Sequence, residues 1–119
     1  MHKFKELKVW TKGRELVKDV YLLSNSLPDS EKYVLKQQIV RAAISVPLNI
    51  AEGSGRGSDK DFARFIDIAV GSLYEVETCV YLMIDLNYIS EDGAKSTFDK
   101  ISELEKMLYQ FKSRLLSNI

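Results

Sequence analysis

Two rows of mostly apolar side chains run side by side between about residues 59 and 87. This feature most limits how the chain can fold. The first row has spacings of four and three residues and consists of Phe62, Ile66, Ala69, Leu73, Val76, Val80 and Met83. The second row has the same periodicity and consists of Phe65, Ile68, Ser72, Glu75, Cys79, Leu82 and Leu86. The spacing predicts a long helix with apolar surface around most of its circumference.

Such a helix must be buried on most sides, and this requirement bears on the state of assembly. A chain of 119 residues forms one domain, and a single small bundle does not surround one of its own helices. We therefore predict that the surplus apolar face contacts other copies of the chain. The alternative is a monomer in which the third helix is central and enclosed.

Three further helices accompany this one, at about residues 7–27, 29–52 and 90–116. Pro28 ends the first, the glycine-rich linker 53–57 ends the second, Ser58 caps the third, and Ser90 caps the fourth. All connections are short, and short connections make neighbouring helices antiparallel. The sequence predicts an all-α, up-down-up-down four-helix bundle that occupies residues 1–119.

Pro47 lies inside the apolar pattern of the second helix. Proline removes one backbone hydrogen bond from a helix interior, so we expect a kink at this point. Two shorter helices are the alternative.

Charge is balanced overall but unevenly distributed. Lysine and arginine number 17, as do aspartate and glutamate. Residues 1–20 nevertheless hold six basic and three acidic side chains, whereas residues 61–100 hold three and eight. Such a surface can bind a polyanion at its basic end, stack on copies of itself, or simply be solvated. The residues predicted to contact nucleic acid are Lys5, Lys8, Lys12, Arg14 and Arg56, the first three on one helix face.

The glycine linker invites comparison with a phosphate-binding loop. It has neither the preceding strand nor the Gly-Lys-Ser/Thr sequence of a Walker loop. What remains is a helix start with Arg56 and Lys60 nearby, which can hold one phosphate. An ordinary turn between helices is the simpler interpretation.

The sequence offers little material for catalysis. His2 is the only histidine, and we expect it to be mobile; Cys79 is the only cysteine and is predicted to be a packing residue. Neither a metal site nor a cofactor is predicted. One cysteine, no signal-peptide pattern and no membrane-length apolar run favour a cytoplasmic protein without a membrane role.

Several polar side chains fall where the bundle is expected to be partly buried. Because buried carboxylates need partners, we predict a structural network that fixes helix register, rather than an active site. Its members are Arg41, Asn49, Glu52, Ser72 and Glu75.

The segment from Gln38 to Gly53, with the sequence QIVRAAISVPLNIAEG, resembles the signature of bacterial proteins encoded in 23S rRNA intervening sequences, also labelled S23 ribosomal proteins. Phe4, Leu7, Val9 and Trp10 are similar to the opening of that family. The third helix is similar to the family at Phe62, Phe65, Ile68, Ala69, Gly71, Ser72, Glu75 and Glu77. The resemblance covers nearly the whole chain.

The resemblance implies a four-helix bundle that assembles into a homopentamer. A related protein, the accessory variability protein of diversity-generating retroelements, forms a basic pentameric barrel that binds nucleic acid and a reverse transcriptase. The present chain differs from that relative in its zero net charge. The family supplies no catalytic residues. The first functional hypothesis is therefore a non-enzymatic oligomer that binds RNA or DNA, and the second is a scaffold with a protein partner.

Overall fold

Four α-helices form the protein. The computed structural model describes residues 2–117. Helix α1 spans Lys8–Ser24, α2 Leu35–Ser54, α3 Asp59–Asp85 and α4 Glu91–Ser117; single 3-10 turns lie at Phe4–Glu6 and Asp29–Glu31. The described residues contain no strand. The predicted all-helical class with four helices is confirmed.

The helices pack in a cycle, because α1 contacts α2 and α4 while α3 contacts the same two helices. The molecule measures 47 × 25 × 20 Å, as expected for parallel and antiparallel rods packed side by side. Antiparallel register between α2 and α3 is visible in two side-chain pairs. Gln38 is hydrogen-bonded to Glu75, and Ser45 to Ser72. Residue numbers therefore increase along α2 as they decrease along α3.

The first row of α3 is the centre of the core. All seven of its side chains are at most 1% exposed. They meet apolar stripes from the other three helices, and burial of each large aliphatic side chain contributes about 1.5–3 kcal/mol. The principal partners are Leu16, Val20, Ile39, Val46, Ile50, Ile101, Leu104 and Leu108.

The second helix begins at Leu35, later than the predicted start at Asp29. Residues Asp29–Glu31 form a 3-10 turn, and Val34 has φ −117° and ψ −93°, which is outside helical geometry. The Leu35 amide then donates to Glu31 Oε1 at 3.4 Å. Glu31 therefore serves the first free amide of the helix, as a capping side chain does. The first helix likewise ends at Ser24 rather than Leu27.

Helix α2 runs without interruption through Pro47, so the alternative of two shorter helices is not observed. Gly13 of α1 lies opposite the proline. A Cβ at Gly13 would be 3.4 Å from Pro47 Cβ, which is already close packing. Helices α1 and α2 are therefore in close contact at Pro47.

The turns around α3 follow familiar capping chemistry. Ser58 Oγ accepts from the Asp61 amide at 3.1 Å, which confirms the predicted cap. At the other end, the amides of Asn87 and Tyr88 donate to the carbonyls of Ile84 and Met83, both at 2.9 Å. This is a Schellman motif, and Asn87 supplies its left-handed residue with φ 64°.

Candidate nucleic-acid interface

The up-down topology leaves an excess of basic over acidic side chains at one end of the bundle. At this end α1 begins, α2 ends, α3 begins and α4 ends. We call residues 2–8, 52–64 and 110–117 the basic end; they carry eight basic and four acidic side chains. Residues 21–36 and 84–95 form the acidic end and carry three basic and five acidic ones.

Three of the predicted phosphate contacts are open to a ligand. Lys5, Lys8 and Arg14 are exposed, and among residues 2–117 none of them forms an ion pair. Arg14 lies over the Trp10 ring at 4.9 Å from its centroid. Lys5 is in the 3-10 turn before extended Leu7, so it does not share the helical face predicted for Lys5, Lys8 and Lys12.

Lys12 is already engaged by carboxylates. Its Nζ lies 3.1 Å from Glu103 of α4 and 3.6 Å from Glu15. The hydrogen bond to Glu103, followed by the charges of Glu103 and Glu15, raises the pKa of Lys12. The lysine therefore stays protonated, but its charge is shared with the protein itself. The prediction that Lys12 contacts nucleic acid used only its spacing within α1, and this spacing carries no information about a contact with α4.

Arg56 forms part of a compact cluster at the basic end. Its Nη2 donates to Glu52 Oε1 at 2.6 Å, and its guanidinium lies over the Phe65 ring at 4.6 Å from the centroid. Arg64 lies over the same ring at 5.5 Å and is bonded to Asp61 Oδ1. The cluster brings two arginines to one aromatic ring. Arg64 was not among the residues predicted to contact nucleic acid, although its position next to Phe65 was a usable signal.

His2 is held in place, contrary to the expectation that it would be mobile. Its backbone amide donates to the Ser54 carbonyl at 3.1 Å, and its Nε2 donates to Asp59 Oδ1 at 2.9 Å. The imidazole also packs edge-on against Phe62 and Phe111, at centroid distances of 5.1 and 6.3 Å. This contact ties the basic residues Lys3 and Lys5 to the turn between α2 and α3.

The predicted polar network forms only in part. Ser72 Oγ donates to Ser45 Oγ at 2.9 Å, and Asn49 Nδ2 donates to the Ser45 carbonyl and hydroxyl at 2.8 and 2.9 Å. Ser72 is buried, and the three residues link α2 to α3.

The charged members of the predicted set lie outside this network. Glu75 is exposed and accepts from Gln38 at 3.4 Å, Glu52 is exposed and bonded to Arg56, and Arg41 is exposed. The burial expected for these carboxylates is therefore wrong. The second row of α3 lies at the outer edge of the α2–α3 contact, where Glu75 is open to water.

An exposed apolar band follows the same edge. We define the α2–α3 band as two stripes with a spacing of seven residues. One consists of Val34, just before α2, with Arg41 and Leu48 on α2, and the other consists of Ile68, Glu75 and Leu82 on α3. The four apolar members are 43–66% exposed. Leu86 extends the band at 53%. Helix α3 is thus not enclosed within one chain.

An open groove lies on the opposite flank of α3, against α4. Val70 and Leu108 line it together with Tyr74 and Tyr109, which are 50% and 73% exposed. An ion pair of 2.7 Å between Lys112 and Asp67 lies at this groove. Two exposed tyrosines over an apolar floor are a surface suited to a protein contact.

Reactive groups are few in the described part of the chain. Burial raises the pKa of the Cys79 thiol, with a smaller contribution from the charge of Glu75, so the thiol is not activated. Within residues 2–117, no group of three or more His, Cys, Asp or Glu side chains is placed to hold a metal ion. None of the helices there is both long and apolar enough to span a membrane.

Fold and surface together define the class: a small antiparallel four-helix bundle with a basic excess at one end and apolar surface along α3. The chain belongs to the family of 23S rRNA-intervening sequence proteins, which it matches over residues 5–110. This confirms the family resemblance noted in the sequence.

A solved structure supports the same assignment. The crystal structure of a protein of unknown function from the S23 ribosomal protein family of Bacteroides thetaiotaomicron superposes with a TM-score of 0.80. The two sequences are 28% identical, and the match covers 87% of this chain and 97% of that one. No curated protein matches the chain.

Proposed function

We propose that the protein is a non-enzymatic, oligomeric nucleic-acid-binding protein that binds RNA through its basic end. The observation that carries the proposal is the separation of charge along the bundle, which leaves a basic excess at one end of a chain with zero net charge. Lys5 and Lys8 are exposed at this end, and Arg14 is exposed further along α1, so all three are available for phosphates.

Assembly is the second part of the proposal. The α2–α3 band exposes apolar side chains at both of its ends and places Arg41 and Glu75 between them. Exposed apolar side chains beside charged ones are typical of an interface, because they gain from burial while the charges can pair across it. We propose that copies of the chain bury the band in a homopentamer, the state that the family resemblance implies. A ring of five would bring five basic ends together, and binding would gain from avidity and counterion release.

Light scattering tests the assembly. The expected mass is five times the 13.6 kDa of one chain. A charge in the band, Leu48→Glu, should give lower-mass species. The matched control is Leu22→Glu, since Leu22 is equally exposed at 62% but lies on α1 outside the band. A wild-type protein that stays monomeric at micromolar concentration rules out the pentamer and the multiplied charge.

Fluorescence anisotropy with structured RNA across a salt series tests RNA binding. Affinity should fall steeply as salt rises, and Lys5→Gln should reduce the slope of log K against log salt by about one for each chain in contact with RNA. Lys95→Gln at the acidic end is the control and should leave the slope unchanged. Affinity that ignores salt, or no binding at all, contradicts the proposal.

The second candidate is a scaffold whose partner is a protein. The groove with Tyr74 and Tyr109 favours it, because exposed tyrosines are enriched at protein interfaces. Affinity capture after nuclease treatment separates the candidates. A stoichiometric protein partner that is lost on Tyr109→Ala, together with absence of RNA binding, would establish the scaffold.

The non-enzymatic part of the proposal rests on the chemistry available. The imidazole of His2 is bonded to Asp59, and the thiol of Cys79 is buried. Among residues 2–117, the His2–Asp59 pair has no hydrogen bond to a hydroxyl or thiol nucleophile, and Cys79 has no histidine beside it. We propose a cytoplasmic protein that needs no cofactor.

A further inference from the structure

Phe65 is flanked by two guanidinium groups at the basic end. Arg56 reaches the ring from the turn between α2 and α3, and Arg64 precedes Phe65 on α3. Guanidinium planes and aromatic rings are the two protein surfaces on which unpaired bases stack. The three side chains thus combine both kinds of surface in one place.

Each guanidinium is held by a carboxylate. Glu52 accepts from Arg56, while Asp61 Oδ1 accepts from Nε and Nη2 of Arg64 at 3.1 and 2.8 Å. The side chain of Arg56 remains 41% exposed and that of Arg64 68%. The carboxylates therefore fix the orientation of the arginines and leave part of each planar group in contact with solvent.

The base of the Phe65 side chain is held by close packing. A Cβ at Gly53 would lie 2.7 Å from Phe65 Cβ, so the backbone of α2 itself supports this part of α3. A rigid, oriented surface loses little entropy when a ligand binds. Such preorganisation is what a stacking surface requires.

Basic groups for a nucleic-acid backbone adjoin this cluster. One surface depression is lined by Lys3 and Lys5 and includes Gly55, and a second one includes Gly55 and Arg56. Both also include Ala51, so the two are continuous. A strand whose base lies on the arginines would place its phosphates along the lysines.

We propose that Arg56, Phe65 and Arg64 form a stacking platform for an unpaired base, so that the preferred ligand is single-stranded RNA or the loop of a hairpin. This inference rests on the proposed function and specifies its ligand. Bases within a duplex stack on one another and present only their edges, so a duplex cannot use the platform. Duplex RNA would bind only through charge.

The double variant Arg56→Lys, Arg64→Lys tests the platform, because it keeps both charges and removes both planar groups. Affinity for a single-stranded 12-mer should fall about tenfold, the scale of one lost base stack. The slope of affinity against salt should not change, and affinity for duplex RNA should stay the same. Circular dichroism and light scattering check that fold and mass are unaltered.

A 2-aminopurine base in the 12-mer gives a readout that does not depend on affinity. At saturating protein, the wild type should quench its fluorescence and the double variant should not. Wild-type affinity and quenching in the double variant would overturn the platform while leaving salt-dependent RNA binding intact. Failure of the wild type to bind any RNA would instead overturn the proposed function and the platform together.

Discussion

The two ends of the bundle are stabilised by different physical means. At the basic end, aromatic rings pack directly on a glycine, since a Cβ at Gly53 would lie only 2.6 Å from Phe62. At the acidic end, one carboxylate joins three elements: Glu31 accepts from Tyr88 Oη at 2.8 Å and from the Leu35 amide at 3.4 Å. Packing on a glycine is particular to the first end, and a carboxylate shared between elements is particular to the second.

This difference affects how each end responds to pH and salt. Close packing depends little on pH or salt, so it keeps the end of α2 and the start of α3, which carry the arginines, in a constant arrangement. A hydrogen-bonded connection is weaker and titrates. The acidic end also exposes Val34 and Leu86, whose burial would require a second chain.

Of the substitutions that test this difference between the ends, that of Gly53 should change the stability most. Alanine normally favours a helix over glycine by about 1 kcal/mol, but here its Cβ would clash with Phe62 and Phe65. We expect Gly53→Ala to destabilise the protein by about 1–3 kcal/mol, the cost of overpacking. Urea denaturation measures it.

Gly57→Ala is the control in the same linker. No atom lies within 4 Å of a Cβ built there, and the backbone φ is not positive. We expect a change near zero or a stabilisation of about 0.5 kcal/mol through the unfolded chain. Equal losses in both variants would show that backbone flexibility, rather than packing on the two rings, makes glycine necessary.

Asn87 offers the corresponding test at the acidic end. Its φ of 64° is left-handed, a conformation that asparagine tolerates better than alanine does. Asn87→Ala should cost about 1 kcal/mol, whereas Asn87→Gly should retain or raise stability. Thermal denaturation of the pair measures the difference, and an alanine variant as stable as the glycine variant would contradict the backbone argument.

The core was predictable because the period of a helix is a local property. The first row of α3 was read from spacing alone, and all seven residues are buried. The same reasoning did not show which residues of the second row are buried. Whether Glu75 or Cys79 is covered depends on how far α2 extends over that side of α3, and no spacing within α3 encodes this.

The site was less predictable, because its contacts join residues far apart in the chain. Lys12 pairs with Glu103, and the start of α2 depends on Glu31, whose other partner is Tyr88. His2 likewise owes its position to Asp59 and two rings. Charge composition located the basic residues, but the partners that neutralise some of them appear only in the folded chain.

Substitution of His2 should have a moderate effect on stability that is confined to the basic end. His2→Ala removes the hydrogen bond to Asp59 and the edge contacts with Phe62 and Phe111, at a cost of about 1 kcal/mol. His2→Phe keeps the ring contacts and should recover part of the loss. Hydrogen exchange should show faster exchange at residues 6–7 in the alanine variant. Unchanged exchange there would mean that His2 does not hold the segment.

Tyr88 should have the smallest effect, and that effect should depend on pH. The hydrogen bond donated to Glu31 raises the pKa of Tyr88, with smaller contributions from burial and from the charge of Glu31. A raised pKa in the folded state means that the stabilisation is complete below the ordinary value near 10 and is lost as pH rises through the higher folded value. Tyr88→Phe should therefore be slightly less stable than wild type at pH 7, and the gap should close above pH 10. Thermal midpoints of both proteins between pH 7 and 11 measure it. A gap that stays constant over that range would show that ionisation of the Tyr88 hydroxyl breaks no hydrogen bond to Glu31. The acidic end would then be held by packing, as the basic end is.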